Sequence, residues 1–177
     1  MMSCRLLWRR DSLTWISASF WFCRGVSHFW LGWDFFQKFV EEVGRLKKSD
    51  QKVLFTVQTN GWSVDERWAD FFKKHEFLVG LSLDGVRKSH DSNRLGPCGE
   101  GTFEKVFASA CLLRDAGIPL NILCVLNRQT TERIEAIYRF LMRKGFFPAA
   151  VYSLPGPTGF IGSVNFTGLG RCFGKSG

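Results

Sequence analysis

A chain of 177 residues can bury one real core and is too short for two comfortable domains. With 45% hydrophobic and 23% charged residues, it has the make-up of an ordinary globular protein. The formal charge of +8 would suit a nucleic-acid binder, but its placement excludes that reading. Fifteen of the sixteen acidic residues fall between Asp34 and Glu135, where fifteen Lys and Arg balance them; in the flanks nine basic residues face Asp11 alone. A binding surface gathers charge on one folded face, whereas here both ends are simply poor in acid.

The six cysteines (Cys4, Cys23, Cys98, Cys111, Cys124 and Cys172) include no pair spaced for a zinc knuckle, a CxxC redox site or a cluster-binding loop. Cys111 and Cys124 fall on apolar faces of predicted elements and read as small core residues. The apolar run Leu13 to Cys23 has half the length of a membrane span and lacks the centre and cleavage site of a signal peptide. We therefore expect a cytoplasmic protein with no membrane span.

Asp34 is placed to cap a helix whose apolar residues Phe35, Phe36, Phe39, Val40, Val43 and Leu46 recur at helical spacing, with Lys47 and Lys48 in its last turn. Val53 to Val57 reads as a buried strand that ends in a polar turn, Gln58-Thr59-Asn60-Gly61. Ser63 to Glu66 form a capping box for a helix that buries Val64, Trp68, Phe71 and Phe72. Phe77 to Leu83 is the second strand, closed by Asp84-Gly85, and a long polar loop follows through His90, Arg94 and Gly96 to Gly101. Thr102 is placed to cap a third helix that stops at Gly117, Leu120 to Leu126 is the third strand, and a fourth helix runs from near Thr130 or Thr131 to Gly145.

Strands that alternate with amphipathic helices and look apolar on both faces imply right-handed βαβ units and a parallel sheet. The expected fold is α/β. Three strands with four helices make a partial barrel or a small open sheet with exposed edges. Residues 33–145 carry these signals. Residues 1–32 hold four of the seven tryptophans with no Lys or Glu and no sustained period, and residues 146–177 hold no acid. The segment Gly168 to Gly174 has the wrong spacing for a phosphate loop.

In a parallel barrel the functional groups gather at the C-terminal ends of the strands. Three clusters fall there: Gln58-Thr59-Asn60-Gly61, Ser82 with Asp84-Gly85, and Asn127. None is a nucleophile–base pair. They offer hydrogen bonds and, in Arg94, one fixed positive charge, which suits a polar zwitterionic cofactor with a carboxylate.

The ordered set Thr56-Val57-Gln58-Thr59-Asn60-Gly61, Leu78-Val79-Gly80-Leu81-Ser82-Leu83-Asp84-Gly85, His90-Asp91, Arg94, Gly101-Thr102-Phe103 and Asn121-Ile122-Leu123 resembles the anaerobic sulfatase-maturating enzymes of the radical S-adenosylmethionine (SAM) superfamily. The resemblance covers about residues 34–145. It implies a partial (β/α) barrel of radical SAM type that uses SAM and a [4Fe–4S] cluster to oxidise a Cys or Ser of a sulfatase polypeptide to formylglycine. By resemblance Ser82 and Arg94 contact SAM, Arg94 at its carboxylate, and Gln58, Thr59 and Asn60 line the mouth where cofactor and peptide meet. The plainer reading of Ser82 is a strand-end hydroxyl bonded to its own backbone. His90 reads first as a loop-ordering residue and second as a base, and Asp84 as a turn-ordering residue or a ligand contact.

The chain departs from the family in lacking the CxxxCxxC cluster loop, a Gly-Gly-Glu-Pro motif ahead of Asp34, and the downstream half of the enzyme. Without three thiolates the cluster is not expected to bind this chain, and SAM cleavage is not expected in it. Permitted codons for Phe22 to Gly32, shifted by one base, can read Leu-Gln-Gly-Gly-Glu-Pro-Leu-Leu-Ala-Gly. Those for Phe146 to Gly156 can read Phe-Phe-Leu-Gln-Gln-Phe-Ile-Pro-Cys-Leu-Asp, similar to the family's next strand. The expectation is a piece of a maturase with frameshifted flanks. The alternatives are a piece of another peptide-modifying radical SAM maturase and a non-catalytic module that binds a partner or a membrane surface.

Overall fold

In the computed structural model of the protein, which describes residues 15–20, 32–49, 51–127, 131–146, 149–153 and 163–165, six strands form one sheet. They are β1 (Trp15–Phe20), β2 (Lys52–Thr59), β3 (Leu78–Ser82), β4 (Leu120–Leu126), β5 (Ala149–Ser153) and β6 (Ser163–Asn165), lying side by side in that order. The first five are parallel, and β6 runs antiparallel to β5. Helices occupy the crossovers: α1 (Gly32–Leu46), α2 (Glu66–Lys74), α3 (Arg87–Asn93) and α4 (Phe103–Asp115), then α5 (Ile134–Arg143) after β4.

The expected α/β alternation is present, and the three predicted strands are β2, β3 and β4. Three further strands from the flanking sequence extend the sheet, so the edges of β2 and β4 are paired through their backbones. The run Leu13 to Cys23 contributes β1, while its other residues, the segment Gly168 to Gly174 and Cys4, Cys23 and Cys172 lie outside the described residues.

Strand β2 shows how the sheet divides into two faces. Phe55, Val57 and Thr59 are buried, while Thr56 and Gln58 between them are only half-buried. A period of two sends alternate residues to opposite faces. The expectation of strands apolar on both faces is thereby corrected for β2, whereas β3 and β4 are buried at consecutive positions, Val79 to Leu81 and Ile122 to Cys124. Gln58 and Thr59 also belong to the strand and not to the turn after it.

The helix-side core has two parts. Phe36 of α1, Trp68, Phe71 and Phe72 of α2, Phe55 and Val57 of β2 and Phe77 and Val79 by β3 pack together. Phe77, fully buried, stacks on Phe55 with ring centroids 5.0 Å apart and lies 5.3 Å from Phe72. The second part joins Leu81 and Leu83 to Phe103, Val106 and Ala110 of α4, Ile122 and Cys124 of β4, and Ile137 and Leu141 of α5.

Helix ends differ from the predicted caps in a consistent way. Helix α1 starts at Gly32, leaving Asp34 inside its first turn, where a carboxylate suits the macrodipole. Asp65, not Ser63, caps α2 by accepting the Trp68 N–H at 3.0 Å. The fourth predicted helix, α5, runs unbroken from Ile134 and is preceded by a helical turn at Thr131, whose N–H donates to the Asn127 carbonyl at 2.9 Å, while Thr130 lies outside the described residues. Gly117 and Gly145 end their helices as expected, with φ of +73° and +72°.

Phe77→Ala removes the ring that joins Phe55 of β2 to Phe71 and Phe72 of α2, and should cost about 3–5 kcal/mol of stability. Urea denaturation measures it; a loss below about 1 kcal/mol would mean that this cluster does not hold the fold.

Candidate functional site

The face of the sheet away from the helix core presents Thr56 and Gln58 from β2, Leu78, Gly80 and Ser82 from β3, and Asn121 and Leu123 from β4. Gly80 lies beside Gln58 in register, and a Cβ there would meet Gln58 Cγ and Leu123 Cδ1 at 3.1 Å each. The missing side chain lets those two neighbours close over the strand. Gln58 and Ser82 are half-buried, and their side-chain polar atoms make no hydrogen bond among the described residues. The self-bonded alternative for the Ser82 hydroxyl is thus not what the structure adopts.

The C-terminal end of β3 is organised by Asp84, which is fully buried. Its Oδ1 accepts the Val125 N–H at 2.8 Å, tying the β3 end to β4. Arg94 donates Nε–H to Oδ2 at 2.8 Å and Nη2–H to Oδ1 at 3.2 Å, a two-pronged ion pair. Arg94 is thereby held at the C-terminal end of β3 by Asp84, two residues beyond Ser82 in the chain. The charge of Arg94, however, is matched by Asp84, whose expected roles are to order the turn or to contact a ligand. A buried carboxylate ten residues before an Arg in a polar loop was the available signal.

The loop between β3 and α4 is less irregular than expected, because residues 87–93 form α3. Fully buried His90 holds it together. Its Nδ1 accepts the Asp84 N–H at 3.2 Å, which leaves the proton on Nε2, 3.0 Å from Thr102 Oγ1. Thr102 Oγ1 in turn donates to the Arg94 carbonyl at 2.8 Å. Burial lowers the His90 pKa to about 4; Arg94 acts in the same direction, against Asp84 and Asp91. The loop-ordering reading of His90 fits this geometry.

Thr102 precedes α4 as expected, but its hydroxyl does not cap the helix. Asp91 does so from α3, accepting the Phe103 N–H at 2.8 Å. A Cβ at Gly101 would stand 2.6 Å from the Asp91 carboxyl, so a glycine is needed for this reach. Gly85 is constrained in the same way by φ of +78° and by Ile137, 2.6 Å from its would-be Cβ.

The other predicted site residues go elsewhere. Thr59 faces the helix side, where its Oγ1 accepts the Gly61 N–H at 3.1 Å. Asn60 is exposed and its Oδ1 accepts the Trp62 N–H at 3.1 Å. Both shape the turn after β2, leaving Gln58 as the member of that triplet on the polar face. Asn127 donates to Asn93 Oδ1 at 2.7 Å, joining the β4 end to α3.

The cysteines in the described residues do not fit an iron–sulfur cluster. Cys98 is exposed on the loop, Cys111 is half-buried on α4, and Cys124 lies in the helix-side core with its thiol pushed up to about 12 by burial. A ligand thiolate needs the opposite environment. Among the described residues no helix is long and apolar enough to cross a membrane.

Comparison with known proteins places these features in context. The model of the radical SAM superfamily matches residues 23–141. The cysteine-type anaerobic sulfatase-maturating enzyme of Clostridium novyi (strain NT) is 37% identical over 116 residues, covering 66% of this chain and 31% of that enzyme. The serine-type enzyme of Bacteroides thetaiotaomicron is 34% identical over 84 residues, 48% of this chain and 20% of that enzyme. The solved structure of native anSMEcpe with bound AdoMet and Kp18Cys peptide superposes with a TM-score of 0.73 at 33% identity, covering 78% of this chain and 38% of that one. The fold matches part of the radical SAM fold in that structure. The chain spans about a third of the length of the cysteine-type relatives.

Because His90 is buried neutral, its pKa of about 4 lies below the ordinary value of 6.5. The unfolded chain binds the proton first on acidification, so this contribution is complete above pH 6.5 and falls away toward pH 4. The loss should approach roughly 3 kcal/mol, and be absent in His90→Gln, when urea denaturation is followed across that window. Equal acid sensitivity in both proteins would sink the assignment.

Proposed function

We propose, since the chain belongs to the radical SAM superfamily, that it is the central β/α segment of an anaerobic sulfatase-maturating enzyme and carries part of that enzyme's SAM site. The observation that supports this reading is the anchoring of Arg94 on Asp84, two residues beyond Ser82 in the chain, within a segment that resembles both cysteine-type and serine-type enzymes. SAM, bound with a reduced [4Fe–4S] cluster, supplies the hydrogen-abstracting chemistry by which such enzymes take a Cys or Ser of a sulfatase polypeptide to formylglycine. The residues of this chain hold and orient. Arg94 donates hydrogen bonds to the carboxylate of the cofactor, Ser82 offers a hydroxyl to its polar groups, and Gln58 borders the approach of the peptide, with Thr59 and Asn60 setting the turn beside it.

The chain as written is inactive in this reading, because it holds no CxxxCxxC loop and its described cysteines are unsuited to a cluster. Residues 1–32 and 146–177 are then translated out of frame, with the cluster motif encoded one base out of register in the neighbouring DNA. Backbone pairing of β1 and β5 with the central strands asks little of side-chain identity, so it is compatible with that origin. A second reading, in which the residues before Gly32 belong to the fold as written, is favoured by the superfamily match from residue 23 and by the β1–β2 pairing. Sequencing the encoding DNA separates the two. In the frameshift reading a CxxxCxxC-coding stretch lies upstream in another frame; its absence from every frame favours the second.

Anaerobic reconstitution with iron and sulfide should leave the chain without a stoichiometric [4Fe–4S] absorbance, and such a signal would overturn the inactivity. Equilibrium dialysis should show SAM affinity falling about tenfold or more in Arg94→Ala. An unchanged affinity would remove Arg94 from the site.

A further inference from the structure

A guanidinium has a side edge, Nε with one Nη, and an end edge formed by both Nη atoms. In Arg94 the side edge is spent on Asp84. Nη1 makes no hydrogen bond among the described residues, and a quarter of the side chain is exposed, against 1% of Asp84. The backbone of Arg94 is gripped as firmly as its head. Its N–H donates to the His90 carbonyl at 2.8 Å, and its own carbonyl accepts from Thr102 Oγ1. His90 links Thr102 back to the Asp84 N–H. The bonds close a ring, Asp84 to His90 to Thr102 to Arg94 to Asp84, and the Asp84–Val125 bond fastens that ring to β4.

A ring of this kind is a costly way to obtain stability alone, because a buried carboxylate must recover its lost hydration from fixed donors. It is an effective way to fix a direction. Asp84 cancels the net charge of Arg94, so the pair draws an anion weakly from a distance but presents two parallel N–H donors at contact.

We propose that Asp84, His90 and Thr102 are positioning residues that hold the end edge of Arg94 as the receiving edge for a carboxylate at the ends of β3 and β4. The identity of that carboxylate as the one on SAM rests on the function proposed above; the positioning does not. His90 serves by accepting at Nδ1 and donating at Nε2 together, which no aliphatic replacement reproduces. Thr102 serves through its hydroxyl alone.

The test uses the 177-residue chain with two readouts. The first is solvent exchange of the Arg94 Nε–H by nitrogen-15 NMR; the second is SAM affinity by equilibrium dialysis. In the unaltered chain the Arg94 signal should exchange about tenfold or more slowly than that of exposed Arg139. Asp84→Asn and Thr102→Val should both lose that protection and weaken SAM binding about tenfold, whereas Thr102→Ser should keep both. Far-UV circular dichroism identifies a variant that has failed to fold, and the Ser/Val pair at position 102 then carries the comparison. An unprotected Arg94 in the unaltered chain, or full affinity in Asp84→Asn after its protection is lost, overturns the proposal. A protected Arg94 that responds to the variants as expected, in a chain that binds no SAM, upholds the positioning and overturns the function above.

Discussion

A carboxylate cut off from water must be met by fixed donors, and Asp84 is met by three: the Val125 N–H and two N–H groups of Arg94. Each donor belongs to a different part of the fold from the strand end that carries Asp84. Meeting its requirement therefore draws the start of the loop, the end of α3 and the end of β4 to one point. Geometry that elsewhere depends on many weak contacts is set here by one charge that, among the described residues, is met by these donors alone. The polar loop after β3 is ordered for that reason, although its composition alone would let it wander.

The rest of the fold supplies the platform. Aromatic rings from α1, α2 and the first core strands fill the space behind the sheet, and α4 and α5 cover the part behind β3 and β4. Among the described residues the helices pack on one side, and the opposite face carries Gln58, Ser82 and Asn121 beside Leu78 and Leu123. The interior position of Gly80 brings Gln58 and Leu123 together across that face. The backing is apolar, and the front mixes Leu78 and Leu123 with polar groups whose side chains are sparsely bonded among the described residues. That division lets a strand end hold a ligand without surrendering the core.

Much of this was legible in the residues. Val53 to Val57, Phe77 to Leu83 and Leu120 to Leu126 announce strands by run length and β-branching, and Gly117 and Gly145 announce helix ends because few other residues tolerate their φ. Ser82 and Arg94 stand out through their place in the family motif, not through any period. What could not be read were bonds that join distant positions. Thr102 looks like a cap, yet the cap of α4 comes from Asp91, eleven residues earlier. Arg94 looks like a free charge because nothing local pairs it. Gln58 and Thr59 look alike in a polar turn, but a strand that runs two residues further puts them on opposite faces.

Cys124 shows what such packing means for the molecule's chemistry. Its thiol lies in the core under β4, near the Asp84 charge, and is held protonated far beyond neutral pH. A thiol in that state is blind to oxidants and alkylating agents while the sheet is closed, whereas exposed Cys98 meets them at once. The chain thus carries an internal clock: the rate at which Cys124 becomes reactive, set against Cys98, counts how often β4 lifts from the helices beneath it.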